Sequence, residues 1–289
     1  MTISLDRFTR PATVYSRQFG AHRVTYLPDG VALVEPRAWL PVADEEMWLD
    51  HTHLINPDGY LVASVGALMI EIDHHTMLID TGVGPVALST PFGLLRGGQL
   101  LESLAAVDKS ADDIDLIALT HLHLDHLGWL WQSAPGQSAS PFAHAEVLVG
   151  AVEWSHPELA NTDGVANEML DVFASRVHTI TDGQTILPGV EAIATPGHTL
   201  GHIAYSIGSG GRRLLAFGDA IASPIQISHP HLSSASDDDP VRSVTTARHL
   251  INELSRDDTT GFGVHFADVQ LGHVTQTSLG RRWIAENAR

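Results

Sequence analysis

Short apolar runs separated by turn residues mark the first half of the chain as rich in β-structure. Val24–Tyr26 and Val31–Val34 flank Pro28-Asp29-Gly30, and two apolar runs about such a triplet predict a hairpin. Tyr60–Val65, Ala67–Ile72 and His75–Ile79 read as further strands, the last ending at Asp80-Thr81-Gly82. His74 and His75 fall at a strand turn and are expected in solvent. Residues 42–59 are mixed in pattern and read as a long loop, with Trp48, His51 and His53 as candidates for lining a pocket or packing on the surface. Residues 1–23 read as an N-terminal extension. At Gln99–Ala106 the period changes: Leu100, Leu101, Leu104 and Ala105 share one helical face. Ser110-Ala111-Asp112-Asp113 resembles a capping box, and the compact apolar strand Ile114–Leu119 follows it.

Beyond that strand the pattern alternates between types. A helix is expected around Trp129–Trp131, a strand at Glu146–Val149, a helical stretch around Ala166–Ala174 and a strand at Val190–Ala194. Ile203–Ile207 and Arg213–Phe217 predict a strand pair about a Gly-Ser-Gly-Gly turn. Ser233–Asp239 reads as a loop closed by Pro240, which suits the first position of a helix reaching about Ser255. Val264 ends the last expected strand. Strands with helices between them, in two successive rounds, predict α/β sheets with helices packed outside. No break in composition divides the chain, so 1–289 is expected to be one domain.

The strand Ile114–Leu119 runs into Thr120-His121-Leu122-His123-Leu124-Asp125-His126-Leu127-Gly128. In an extended segment residues two apart point the same way, so His121 and His123 can converge on one ion while Leu122 and Leu124 face the core. Asp125 and His126 follow where the chain turns and can reach a second ion. Several such polar groups buried together would be costly without a metal to satisfy them.

Composition sharpens this picture. The 289 residues are 44% hydrophobic, enough for a sizeable core. There is no cysteine, so disulfides, iron–sulfur clusters and thiolate zinc sites are excluded and any metal must rest on His, Asp or Glu. The 18 histidines fit that chemistry. A formal net charge of −18 argues against nucleic acid as partner. No apolar run is long enough to span a bilayer, so no membrane partner is expected. The opening residues Met1–Arg7 lack the apolar stretch of a secretory signal, which makes a cytoplasmic location the default.

His121-x-His123-x-Asp125-His126, with a strand before it and a helix after it, resembles the signature of the metallo-β-lactamase superfamily, and the likeness runs from about Val24 to about Val274. Thr195-Pro196-Gly197-His198 resembles the second motif of that family, Phe217-Gly218-Asp219-Ala220 the third, and His265-Phe266 the last ligand position. The resemblance implies an αββα sandwich: two mixed β-sheets flanked by helices. It implies one metal site at His121, His123 and His198, a second at Asp125, His126 and His265, and Asp219 as the bridge. Two divalent ions are then the cofactors; zinc is the default, and iron or manganese can take the same ligands. The function implied is a metal-dependent hydrolase in which a hydroxide bridging two ions cleaves an ester, lactone or phosphotriester bond of a small molecule. Asp125 and Asp219 are its candidate catalytic residues, with Asp125 as a proton shuttle. Asp80 and His202 match supporting positions, and His273 is a rival to His265.

Within the family, zinc β-lactamases with a cysteine ligand do not fit a chain without Cys. Flavodiiron proteins need a further portion for which no chain remains, and only 24 residues follow His265, where glyoxalase II-like enzymes add helices. The lactonase and methyl parathion hydrolase-like branch remains. Two departures stand out: Val269 and Gln270 replace the usual Pro and Gly, and Ala222 stands where quorum-quenching lactonases carry a tyrosine. Such relatives are often dimers, which makes a homodimer one option here. A reading from a different class is a repurposed scaffold, either a polyketide-tailoring cyclase or a ligand sensor.

Overall fold

The structure is a computed structural model describing residues 4–160, 164–278 and 280–286, so the first three residues of the expected N-terminal extension lie outside it. Its strands form two sheets. The first contains β1 (Tyr15–Phe19), β2 (His22–Val34), β3 (Leu61–Ile72), β4 (His75–Ile79), β5 (Ala87–Thr90), β6 (Gly93–Arg96), β7 (Leu116–Ala118), β8 (Glu146–Gly150) and β9 (Val177–Ile180). Its order is β5-β6-β2-β3-β4-β7-β8-β9, with β1 paired to β2. The second runs in sequence order through β10 (Thr185–Leu187), β11 (Val190–Ala194), β12 (Ile203–Ser209), β13 (Arg212–Ala216), β14 (Thr259–Phe262), β15 (Leu271–Thr277) and β16 (Gly280–Ala285). Both are mixed: β4–β7–β8–β9 are parallel in the first and β13–β14 in the second, while the other pairs are antiparallel.

Alternation along the strands decides the layers. Val24, Tyr26, Leu68, Ile70 and Met77 of the first sheet meet Val190, Tyr205, Ile207, Leu214 and Phe262 of the second in one buried cluster between them. The opposite face of the first sheet, with Leu27, Met69 and Leu78, packs on Leu100 and Leu104 of helix 100–105 and on Leu127 and Leu130 of helix 124–131. The outer face of the second sheet, with Ala204 and Leu215, is covered by Ala247, Leu250, Ile251 and Leu254 of helix 240–254. The result is the αββα sandwich.

Several expectations change. Pro28-Asp29-Gly30 is a bulge inside the single strand β2, not a hairpin turn: Pro28 pairs with Gly66 and Gly30 with Val65, leaving Asp29 as the extra residue. The residues that favour a turn also serve a bulge. Gly30 is needed because a Cβ there would lie 1.9 Å from the Arg96 carbonyl. Tyr60–Val65 and Ala67–Ile72 likewise merge into β3. The expected loop 42–59 contains a helix, Glu45–Asp50, capped by Asp44, and a 3-10 turn, Thr52–Leu54. Within the expected extension, Tyr15–Phe19 belongs to the first sheet as β1. Val264 does not end the last strand, because β15 and β16 follow.

Candidate metal centre

Each motif lies just past the end of a strand. His121 and His123 follow β7, His198 follows β11, Asp219 follows β13 and His265 follows β14. The two sheets bring these ends together at one edge of the sandwich. Three sets of donor atoms lie within 4.8 Å of one another: His121, His123 and His198; His121, His126 and Asp219; and Asp125, His126 and His265. His198 Nε2 is 3.1 Å from His123 Nδ1 and 3.5 Å from Asp219 Oδ2. Asp219 Oδ1 is 3.3 Å from His126 Nε2 and 3.1 Å from His265 Nε2. Asp125 lies 3.7 Å from His126 and 3.6 Å from His265. Of the seven, Asp125 is the one half open to solvent. His273 sits on β15 opposite Ile284, outside every one of these sets.

The hydrogen bonds assign the ring nitrogens. His265 Nδ1 faces the Ser64 carbonyl at 2.8 Å, so it must carry the proton. His126 Nδ1 donates to Asp80 Oδ2 at 2.9 Å, and His198 Nδ1 to Asp237 Oδ1 at 2.9 Å. Thr120 gives its hydroxyl proton to Asp80, so it accepts from His121 Nδ1 at 2.9 Å. Four imidazoles are thereby held with the Nε2 lone pair free for a ligand, whereas His123 turns Nδ1 to the centre. Nε2 of His121 and of His126 and Oδ1 of Asp219 are buried with no hydrogen-bond partner. Buried polar atoms are rarely left so, and three converging on one space fit a cation.

The electrostatics agree. Burial, then His126, His123 and His198, hold the His121 ring well below the usual histidine range. Burial opposes charge on His126 too, but Asp219, Asp80 and Asp125 outweigh it and push the ring well above that range. For Asp219 burial favours the neutral acid, yet His265 and His126 together hold it well below the usual carboxylate range. The group is a set of mutually dependent donors and charges, in which carboxylates favour protonated rings at His126, His198 and His265, the positive charge that an ion would replace.

Supporting residues divide into those the motifs contained and those they did not. Asp80, at φ 60, receives Thr120 N at 2.8 Å as well as His126. His202 accepts from the Asp219 amide at 3.2 Å while its Nδ1 meets Thr195 Oγ1 at 2.7 Å, so it orients Asp219 from behind. Gly128 is required because a Cβ would lie 2.1 Å from the Val83 backbone. Three carboxylates escape motif reading because each lies far along the chain from what it holds. Asp237, in the Ser233–Asp239 loop, orients His198. Glu153 accepts from Leu122 N at 2.9 Å, Thr199 Oγ1 at 2.8 Å and Gly201 N at 3.0 Å, tying two ligand loops together. Asp29, on the bulge, accepts from the amides of Val83, Gly84, Gly98 and Leu100 and from Trp129 Nε1. A buried acid in a strand pattern was the one signal on offer.

The expected pocket residues part company. Trp48 is buried with Trp39, Leu54, Ala222 and Ile225, so it is a packing residue. His51 donates from Nδ1 to the Met47 carbonyl at 2.8 Å and meets Ser228 Oγ at 3.0 Å, joining loop 42–59 to the segment after Asp219. His53 meets the Phe8 ring edge-on at 5.3 Å.

Two mixed sheets between helices, with imidazoles and carboxylates gathered past the strand ends, define the class of protein. The metallo-beta-lactamase superfamily pattern matches residues 63–262, and the chain belongs to that superfamily. An N-acyl homoserine lactonase of a Bacillus sp. is 26% identical over 172 residues, 53% of this chain and 63% of that protein. The anti-Pycsar protein Apyc1 of Paenibacillus sp. (strain J14) is 32% identical over 142 residues, 46% of this chain and 51% of that one. The matches thus span less than two thirds of these curated relatives. Among solved structures, AidC, a dizinc quorum-quenching lactonase, superposes with a TM-score of 0.81 at 23% identity over 96% of this chain and 98% of that one. The hydrolase AbOPH gives 0.78 at 25% identity over the same shares.

Proposed function

We propose that this protein is a metal-dependent hydrolase of small, uncharged lactones and esters. The observation that carries the reading is the convergence of His121 Nε2, His126 Nε2 and Asp219 Oδ1, buried and without hydrogen bonds, on one space. His121, His123 and His198 would hold one divalent ion, Asp125, His126 and His265 a second, and Asp219 both. Zinc suits this donor set. A bound pair supplies an activated water as nucleophile and a Lewis acid for the carbonyl or phosphoryl oxygen.

The remaining chemistry falls to the chain. Asp80, Asp237 and the Ser64 carbonyl fix protons on the outer ring nitrogens, so it is Nε2 of His126, His198 and His265 that would turn a lone pair to a bound ion. Asp125 combines a place beside His126 and His265 with access to solvent. Its carboxylate takes the proton of the attacking water and returns it to the leaving oxygen. Ala222 packs among apolar side chains and offers no hydroxyl to a substrate, which favours recognition by shape over a hydrogen bond from that position. The lactonase relatives and neighbours support lactones as the first substrates to try.

A panel of lactones, aryl esters and phosphotriesters on metal-replete protein tests this. Turnover of lactones or esters is expected, and Asp219→Asn should lower it by more than about a hundredfold, the scale of losing a group that stabilises developing charge. No turnover of lactones or esters by protein holding its metals would overturn the reading.

A further inference from the structure

We propose that the N-terminal segment Leu5–Thr9 is a wall of the active site and that Phe8 sets the size of the apolar group a substrate can place beside His265. The word substrate rests on the hydrolase reading above; the wall does not.

The segment is a 3-10 turn with no fully buried residue, so it is not held by a core of its own. It is stitched instead to the turn that carries His265. Asp268 Oδ2 lies 3.2 Å from Arg7 Nε and 2.8 Å from Arg10 Nη2. The Asp268 amide donates to the Arg7 carbonyl at 3.0 Å, and the Arg7 guanidinium donates back to the Asp268 carbonyl. Farther on, Ala12 N donates to Ser64 Oγ at 2.8 Å, and that hydroxyl donates to the Ala267 carbonyl at 3.0 Å. Ser64 is also the residue whose carbonyl holds His265 Nδ1. Ala267, between His265 and Asp268, adopts φ 40, a left-handed conformation that an alanine keeps only under outside constraint.

This strap delivers one aromatic ring. Phe8 closes a narrow cleft lined also by Trp39, Leu54, Val62, Pro224 and the side of His265, of about 10 Å³, no more than one water would fill. Its ring edge rests on His53, tying the segment to loop 42–59. The charged groups of Arg7 and Arg10 are taken up by Asp268 instead. An apolar group entering beside His265 therefore meets Phe8, and every methylene it buries before that point adds about fourfold in affinity.

The test is binding of straight-chain carboxylates, butanoate to dodecanoate, to metal-loaded protein by calorimetry, with metal content and circular dichroism as controls. Wild-type affinity should climb only over the shortest chains and then stop, because Phe8 leaves so little room. Phe8→Ala should move the stop to longer chains, raising decanoate relative to butanoate by about tenfold, within the span a hydrophobic pocket discriminates. Phe8→Trp should move it to shorter ones. Arg7→Gln leaves the ring but frees the strap, and should relax the stop in the same direction as Phe8→Ala. If Phe8→Ala does not fold, Phe8→Leu and Arg7→Gln carry the test. An unmoved stop in all folded variants, or no length dependence in the wild type, overturns the proposal. A stop that moves in a protein with no lactone or ester turnover upholds the wall and sinks the hydrolase reading; turnover with an unmoved stop does the reverse.

Discussion

Asp237 shows how much a single residue outside every motif can control. Its side chain is buried, accepts from the Ser234 amide at 2.9 Å through one oxygen, and holds His198 Nδ1 through the other. Burial disfavours charge on His198, and the Asp237 bond with the nearby Asp219 reverses this, raising the ring above the usual histidine range. A carboxylate so placed makes the far nitrogen a better donor. Asp237→Asn keeps the shape and removes the charge. It is expected to weaken a divalent ion held at His121, His123 and His198 by about 10- to 100-fold in chelator competition, with little loss of thermal stability in the metal-free protein. Affinity within twofold of wild type would show that His198 needs no such partner.

Elements contribute by bringing remote loops to one place. Glu153 stands on the short helix Ala151–Trp154 after β8, yet its carboxylate takes donors from the loop after β7 and from the loop after β11. Glu153→Ala would strand three buried donors. A buried donor left unsatisfied costs about 1–3 kcal/mol, so three together cost at least about 3 kcal/mol. For a chain of this size that corresponds to a Tm lower by about 10 °C. Glu153→Gln, which keeps an acceptor, should lose clearly less. Calorimetry of both variants decides it, and equal small losses would mean that the loops hold themselves. The bulge at Asp29 works in the same way, anchoring the 83–84 and 98–100 turns and the Trp129 ring from the middle of a strand.

Over the whole molecule, the centre is where both sheets end, so an ion held there would join the halves of the sandwich. Anything that binds only the folded state stabilises it, by about 2.7 kcal/mol at a hundred times the dissociation constant. Chelation of metal-loaded protein should therefore lower Tm by about 5–10 °C, and added zinc should restore it. An unchanged Tm would argue against ions bridging the two sheets. Among the described residues no helix is long and apolar enough to cross a membrane.

What the amino-acid order determined by itself was local. Alternation marked most strands, helical spacing marked Leu100 and Leu104 as buried, and Ser110–Asp113 formed its capping box. The dense run His121–His126 was legible because two-residue spacing along one segment already aims its side chains together. Turn chemistry misled where one residue type serves two purposes, as at Pro28–Gly30, where a partner strand of suitable register turned a hairpin signal into a bulge. The partners were decided by tertiary structure alone. Asp237 meets His198 across 39 positions, Glu153 meets Thr199 across 46, and Arg7 meets Asp268 across 261. No periodicity encodes such separations: each depends on strand order, on the packing of two sheets and on the direction in which a loop leaves its strand. The sequence named the atoms that can hold an ion, and the fold chose the groups that orient them and the walls that stand around them.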